Sequence, residues 1–397
     1  MLLEFILALF IGTFAGIFTG LVPGIHINLV GAIIVSLSLS ILSGIPAIYL
    51  VVFIVSMSIT HVFIDFIPSI FLGAPEEGTE LSVLPGHEML NQGLGFQAVR
   101  LACLGCLYGI FIFILLAFPL SLITQNIYEF IRNSNLIAFL LIGVSLNLIL
   151  VEKKKFLGLA VFMISGLLGL SVLNMDMKEP LLPLLTGLFG TSTLLLSIKN
   201  KTKIKKQELE KVIDIKKIKP LLTSAITSPL SIFLPAISSG QIAVIGNQFS
   251  KLGKKEFLFM LGTINVLTMA FSFLALFLIS KTRTGSAVAV ESLLGVLGKE
   301  IFILIAIVAL LSGCLAFFIS GILSKKFIII LEKANYTKLC VITLIIISII
   351  TLLVSGFFGL FVLLISTLTG IYCISLNVNR VNMMGCLLLQ TILFYLV

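Results

Sequence analysis

Charge is what this chain has least of. Only 11% of its 397 residues are Asp, Glu, Lys or Arg, against 59% hydrophobic, and the mean hydropathy is +1.24. A soluble domain carries roughly a quarter of charged residues, so that class is excluded and a chain that crosses lipid repeatedly is implied. Alternation of apolar and polar residues is also missing, which removes a barrel. The apolar runs instead reach the roughly 20 residues that span hydrocarbon as helix, the form that satisfies the backbone internally. The six cysteines are scattered. Cys103 and Cys106 form CLGC, but no second pair or nearby histidine accompanies them, so the thiols are expected to be small packing residues. The metal-ligand residue types present, His26, His61, His87, Asp65 and the glutamates, lack HExxH-like spacing and any nucleophile and base pair. No enzyme is expected. The N-terminus lacks a basic region and a small-residue cleavage site, and its apolar run is too long for a signal peptide, so it is expected to be a retained first helix.

The one long hydrophilic stretch, Lys199 to Lys219 (KNKTKIKKQELEKVIDIKKIK), holds most of the excess behind the net charge of +9. Basic residues beside spans follow the positive-inside rule, so nucleic acid is not implied and 199–219 is expected to be a cytoplasmic linker. It divides the chain into a first membrane repeat, 1–198, and a second, 220–397. In the first half, spans are expected at Val99–Ile123, Leu136–Val151, Phe156–Asn174 and Leu181–Ile198. With Lys153, Lys154 and Lys155 inside and MDMKE outside, the charge bias stays consistent. In the second half, spans are expected near Leu221–Gln248, Phe257–Ser280, Ile301–Leu323, Lys338–Ser355, Phe357–Ser375 and Met383–Val397. The fold class is all-α, a polytopic membrane protein of two repeated halves, inverted relative to each other, with about 10–14 membrane segments.

The uncharged run Phe5 to Leu42 contains GIFTGLVPGIHINLVG. A helix of that length would measure roughly 58 Å, nearly twice the hydrocarbon thickness. It must fold back or break, and Pro23-Gly24 is where a break belongs. A helix restarting there leaves backbone N–H groups without partners and the positive end of its dipole, which together favour an anion. His26 and Asn28 add polar groups. The second half offers a counterpart in LSIFLPAISSGQIAVIG, where Pro235 matches Pro23 and Ser238, Ser239, Gln241 and Asn247 supply the polar groups. Two such interruptions are the sequence mark of a transporter, although a single one also suits an ordinary hairpin turning at the membrane surface. Gly12, Gly16, Gly20 and Gly24 recur at every fourth position and are expected to allow close helix contact.

A second constellation is FIPSIFLGAPEEGTELSVLPGHEMLNQGLG, Phe66 to Gly95. Dense in Gly and Pro, it carries Glu76, Glu77, Glu80, His87 and Glu88 beside an apolar portion too short to span. A re-entrant segment lining a cavity fits it, and a solvated surface loop is the alternative. Upstream, His61 and Asp65 are four apart on a helix and share a face, which makes them candidates for proton or cation relay. In the second half, Lys281 and Arg283 occupy the loosely corresponding stretch, where they could pair with Glu76 and Glu77 or bind an anionic substrate.

With GLVPGIHIN, FIPSIFLGAPEEGTELSVLPGHEMLNQGLGFQAVRL, LPAISSGQIAVIG and SLNVNRVNMMGCLLL in order along it, the chain resembles the TctA family, the large membrane subunit of tripartite tricarboxylate transporters. It departs from that pattern in Pro235-Ala236 where Pro-Gly is usual, and in being short. The resemblance implies a secondary transporter holding substrate between the two breaks, with uptake of small di- or tricarboxylates driven by sodium or protons. A transporter of a lipid-linked phosphate and an anion channel are the alternatives. Carried over residue by residue, the resemblance singles out Pro23, Gly24 and Asn28, then Ser69, Pro75, Thr79, Pro85 and Gly86, then Pro235, Ser238, Ser239 and Gln241. His26 joins the substrate set, and His61, Asp65, Glu76 and Glu77 form the ion-coupling set. Expected partners are a small organic anion, membrane lipid, a small membrane subunit or soluble binding protein, and a second copy of the chain. No cofactor is expected beyond a coupling sodium ion.

Overall fold

The structure is a computed structural model that describes residues 2–22, 27–76, 78–132, 136–199, 205–209, 214–234, 237–333 and 336–396. These residues are almost wholly helical and hold no strand. The first half contains α1 (Leu2–Leu21), α2 (Ile27–Ser38), α3 (Ala47–Ile64), α4 (Phe66–Leu72), α5 (Val83–Asn91), α6 (Gly95–Arg132), α7 (Leu136–Val151), α8 (Lys155–Leu173), α9 (Leu181–Leu185) and α10 (Ser192–Lys199). The second contains α11 (Ile218–Thr227), α12 (Leu230–Phe233), α13 (Ser239–Ser250), α14 (Lys254–Ile279), α15 (Gly285–Leu294), α16 (Lys299–Lys333), α17 (Tyr336–Ser375) and α18 (Gly385–Leu396).

Eight of the described helical segments are long and apolar enough to cross a membrane: α1, α3 with α4, α6, α8, α9 with α10, α14, α16 and α17. The chain is a multi-pass membrane protein. Its centre is set by burial: the most apolar windows of α3–α4 and α14 are each 78% buried, against 28% for α17. The outer helices turn side chains such as Phe14, Phe118 and Phe357 outwards, as a lipid-facing surface requires.

Glycine permits the central contacts. Gly12, Gly16 and Gly20 of α1 lie so close to Phe53, Met57 and His61 of α3 that a side chain there would strike the α3 backbone. Gly105 and Gly109 of α6 do the same against Phe259 and Thr263 of α14, and Gly262 against Ala102. Close backbone approach substitutes dispersion contact for the hydrophobic drive that lipid does not supply. Gly24 lies outside the described residues.

The long apolar runs are broken where the sequence has backbone exceptions. α17 has 40 residues, but Gly356 sits at φ 72° and ψ −167° inside it, between the two spans expected at 338–355 and 357–375. The span expected at Leu221–Gln248 is three pieces, α11, α12 and α13. The chain turns extended at Leu234 before α13 starts, and Pro235 and Ala236 lie outside the described residues. Between α9 and α10, residues Thr186–Thr191 form a π-helical turn, the kind of irregularity tolerated where neighbouring helices pack closely.

The basic linker does more than join the halves. Gln207 is buried, accepting from Gly95 N at 2.8 Å and donating to the Leu90 carbonyl at 2.9 Å. Its own N–H donates to Glu332 at 2.7 Å. The segment 205–209 is therefore docked against the corner between α5 and α6, because the turn there leaves backbone groups that need partners.

Candidate functional site

Two helix N-termini meet at one place. α13 starts at Ser239, with Ser238 as its N-cap: Ser238 Oγ accepts from Gln241 N at 3.2 Å, while Gln241 Oε1 accepts from Ser238 N at 2.8 Å. α15 starts at Gly285 with Thr284 as N-cap, its hydroxyl accepting from Ala287 N at 3.4 Å. Ile27 belongs to α2. Ile27, Ser238, Ser239, Thr284 and Gly285 all line one cavity of about 360 Å³. Helix N-termini expose unpaired N–H groups and the positive end of the dipole, so this convergence favours an anion.

Arg283 adds a full charge to the same wall. Its Nε donates to the Ile232 carbonyl at 2.9 Å and its Nη2 to the Phe233 carbonyl at 3.3 Å, capping the short helix α12 where the chain breaks. Burial lowers its pKa from the usual value, yet a guanidinium remains charged. A partly desolvated cation attracts an anion more strongly than one in water.

His61 and Asp65 line the same cavity. They are one turn apart, with Asp65 at the junction of α3 and α4, and both are buried. His61 Nδ1 lies 3.0 Å from Thr19 Oγ1, and His61 Nε2 lies 3.3 Å from Glu76. The Asp65 carboxylate accepts from Ser69 at 3.2 Å and from Thr79 at 3.0 Å, and those two hydroxyls are 2.8 Å apart. The Gly-Pro-rich block is thus folded inside the protein over most of its described residues: Glu76 and Glu80 are buried, and its far end surfaces where Glu88 pairs with Lys254.

Of the substrate set, the structure brings Ser238 and Ser239 to the cavity. Gln241 is buried in the capping box, and Ser69 and Thr79 stand behind Asp65. Asn28 belongs to α2, its side chain outside what is described, and Pro23, Gly24, His26, Pro235 and Glu77 lie outside the described residues. The described ionic partner of Glu76 is His61, and Arg283 donates to the α12 carbonyls of Ile232 and Phe233. Asn265, Thr268 and Thr282 also line the cavity and were missed. The signal for Asn265 was present, since an amide within the apolar helix α14 is as costly in a span as the His61 and Asp65 pair that the sequence did reveal.

A second space lies at the other end of α13. Two adjoining cavities of about 180 and 570 Å³ share Asn247, Phe257, Asn379 and Val381, and between them carry Glu80, Arg380, Glu152, Lys153 and Lys251. Between this vestibule and the central cavity, Gly78 rests against Ser239 and Asn265 while Glu80 lies against Gly240 in the first turn of α13. No group of three His, Cys, Asp or Glu side chains able to hold a metal occurs among the described residues.

The sequence model of the tripartite tricarboxylate transporter TctA family matches residues 6–385. An uncharacterised protein of Methanocaldococcus jannaschii is 32% identical over 402 residues, covering 98% of this chain and 99% of that protein. No solved structure matches the chain.

Proposed function

The chain belongs to the tripartite tricarboxylate transporter TctA family, and from that premise we propose that it is a secondary active transporter of small di- or tricarboxylates driven by a sodium or proton gradient. Membership makes it a membrane component of a transport system and not an enzyme. The observation that carries the finer reading is the meeting of the α13 and α15 N-termini with Arg283 around one cavity that also holds His61 and Asp65. Fixed dipoles and a guanidinium suit carboxylate groups. The cavity's size is at the small end of ligand pockets, about 300–1,000 Å³.

In this reading Ser238, Ser239 and the residues around the first break hold substrate, with Pro23, Gly24, His26, Asn28 and Pro235 shaping the two interruptions. Gln241 fixes the α13 terminus. His61, Asp65, Glu76 and Glu77 carry the coupling ion, with Ser69 and Thr79 orienting Asp65. The two halves act as inverted repeats, each contributing one interrupted segment to the shared pocket. A small membrane subunit and a soluble binding protein complete the assembly, as the word tripartite implies.

The test is uptake of labelled citrate and succinate into vesicles containing the purified protein, under an imposed proton gradient, a sodium gradient, or neither. Accumulation only with a gradient is expected. Equal flux without one would identify a channel and end the proposal.

A further inference from the structure

Glu80 is fully buried, yet its carboxylate lies at the α13 helix end that borders the central cavity. One carboxylate oxygen accepts from Gly78 N. The other lies against Gly240, in the first turn of α13, so closely that a methyl group there would collide with it. Gly78 in turn rests on Ser239 and Asn265, which line the central cavity, while Glu80 itself lines the vestibule. A single turn of helix therefore faces the central cavity on one side and an internal carboxylate on the other.

We propose that Glu80 is a built-in counter-anion: its carboxylate neutralises the α13 N-terminus in the empty protein and opposes the carboxylate of an arriving substrate through the same turn of helix. The inference rests on the reading of the central cavity as an anion site. The physical reason is electrostatic. The N-termini of α13 and α15 and Arg283 place positive charge on the cavity in a medium of low dielectric, and on its lining Asp65 offsets part of it. Among the described carboxylates nearby, Asp65 accepts from Ser69 and Thr79 and Glu76 lies against His61. Glu80 is the described one that lies against the first turn of α13. A charge of the same sign as the substrate within one helical turn lowers affinity, and that permits release towards the vestibule. It is a positioning residue that tunes affinity and touches no substrate.

Thermal stabilisation of the full purified chain by citrate, succinate and inorganic phosphate tests this, because a ligand of the native form raises apparent stability according to its affinity. Glu80→Gln removes the charge and keeps the shape. The concentration of the best anion giving half-maximal stabilisation should fall about tenfold, while Glu80→Asp stays close to wild type. Gly240→Ala, which forces the carboxylate off the helix end, should shift it the same way and serves if Glu80→Gln does not fold. Unchanged or weaker anion binding in the folded variants would overturn the proposal while leaving the anion site standing. If no anion stabilises wild type or variants, the cavity is not an anion site and both readings fall.

Discussion

The Ser239 hydroxyl donates to Asn265 Oδ1 across 2.9 Å, latching the first residue of α13 to the middle of α14 at the wall of the central cavity. The bond fixes where the exposed N–H groups of α13 point. A buried hydrogen bond of this kind is worth about 1 kcal/mol net, and contacting residues fail to act additively. Ser239→Ala and Asn265→Ala should each raise the half-saturating concentration for carboxylate uptake by roughly fivefold. The double variant should be no worse than the worse single one. Fully additive losses would show that the two residues act separately.

Gly78 makes the turn below that latch possible. Its φ is +98°, a conformation L side chains rarely adopt, and an added Cβ would run into Ser239 and Asn265. Strain of this kind costs about 1–3 kcal/mol even before the collision. Gly78→Ala should lower the melting temperature of the detergent-solubilised protein by several degrees and abolish uptake. A wild-type melt would mean that the loop shifts freely, and the close packing of Gly78 between cavity and vestibule would lose its basis.

Coupling should separate from binding at Asp65. The residue lines the cavity but is held by Ser69 and Thr79, and its neighbour His61 is held by Thr19 and Glu76. Asp65→Asn keeps the shape and removes the charge. Exchange of labelled for unlabelled carboxylate across the vesicle should survive in this variant, while uphill accumulation driven by a gradient should fall by at least tenfold. Loss of both with the fold intact would place Asp65 in substrate binding instead.

What the sequence reveals here divides along physical lines. Apolar runs and proline or glycine breaks act locally, so the spans, the kink at Gly356 and the interrupted segment ahead of Ser239 can be seen in the order of residues alone. For the block around Glu76 and Glu80 the sequence leaves a re-entrant segment and a solvated loop both open, and it is the structure that buries the two carboxylates. Arg283 shows the limit. Sequence places it opposite the glutamates, but its hydrogen bonds go to Ile232 and Phe233, because which orphan carbonyls lie within reach is decided by tertiary packing. Gln207 shows the same from the other side: nothing in a lysine-rich linker marks its amide for burial.

His87 lies on α5, outside the spanning segments, and is buried with its Nδ1 donating to the Val83 carbonyl at 3.2 Å. Burial pushes the imidazole down from its ordinary 6.5 to about 4, the carbonyl opposing this and Arg380 adding to it. The unfolded chain therefore takes up a proton below pH 6.5 that the folded protein refuses until about 4. Stability from this group is full above 6.5 and is lost as the pH falls towards 4, by about 3 kcal/mol at roughly 1.4 kcal/mol per pH unit. Melting temperature measured from pH 7 to 4 should drop less steeply in His87→Gln than in wild type. Parallel curves would assign the acid sensitivity to other groups.

Gln207 tests whether the linker is a tether or part of the fold. Lysines on either side suggest a solvated strand, and for such a strand Gln207→Ala would change nothing. In the structure the side chain satisfies Gly95 N and the Leu90 carbonyl, both at a buried corner, and the backbone beside it holds Glu332 of α16. Truncation leaves those groups without partners in a place water reaches poorly, at about 1–3 kcal/mol for each buried group so exposed. Gln207→Ala should lower the melting temperature and make the linker open to protease, whereas Lys206→Gln, which keeps the backbone and removes a charge, should do neither. An unchanged digestion pattern in Gln207→Ala would mean that α5, α6 and α16 hold their arrangement without the linker, and that the two halves are joined by sequence alone.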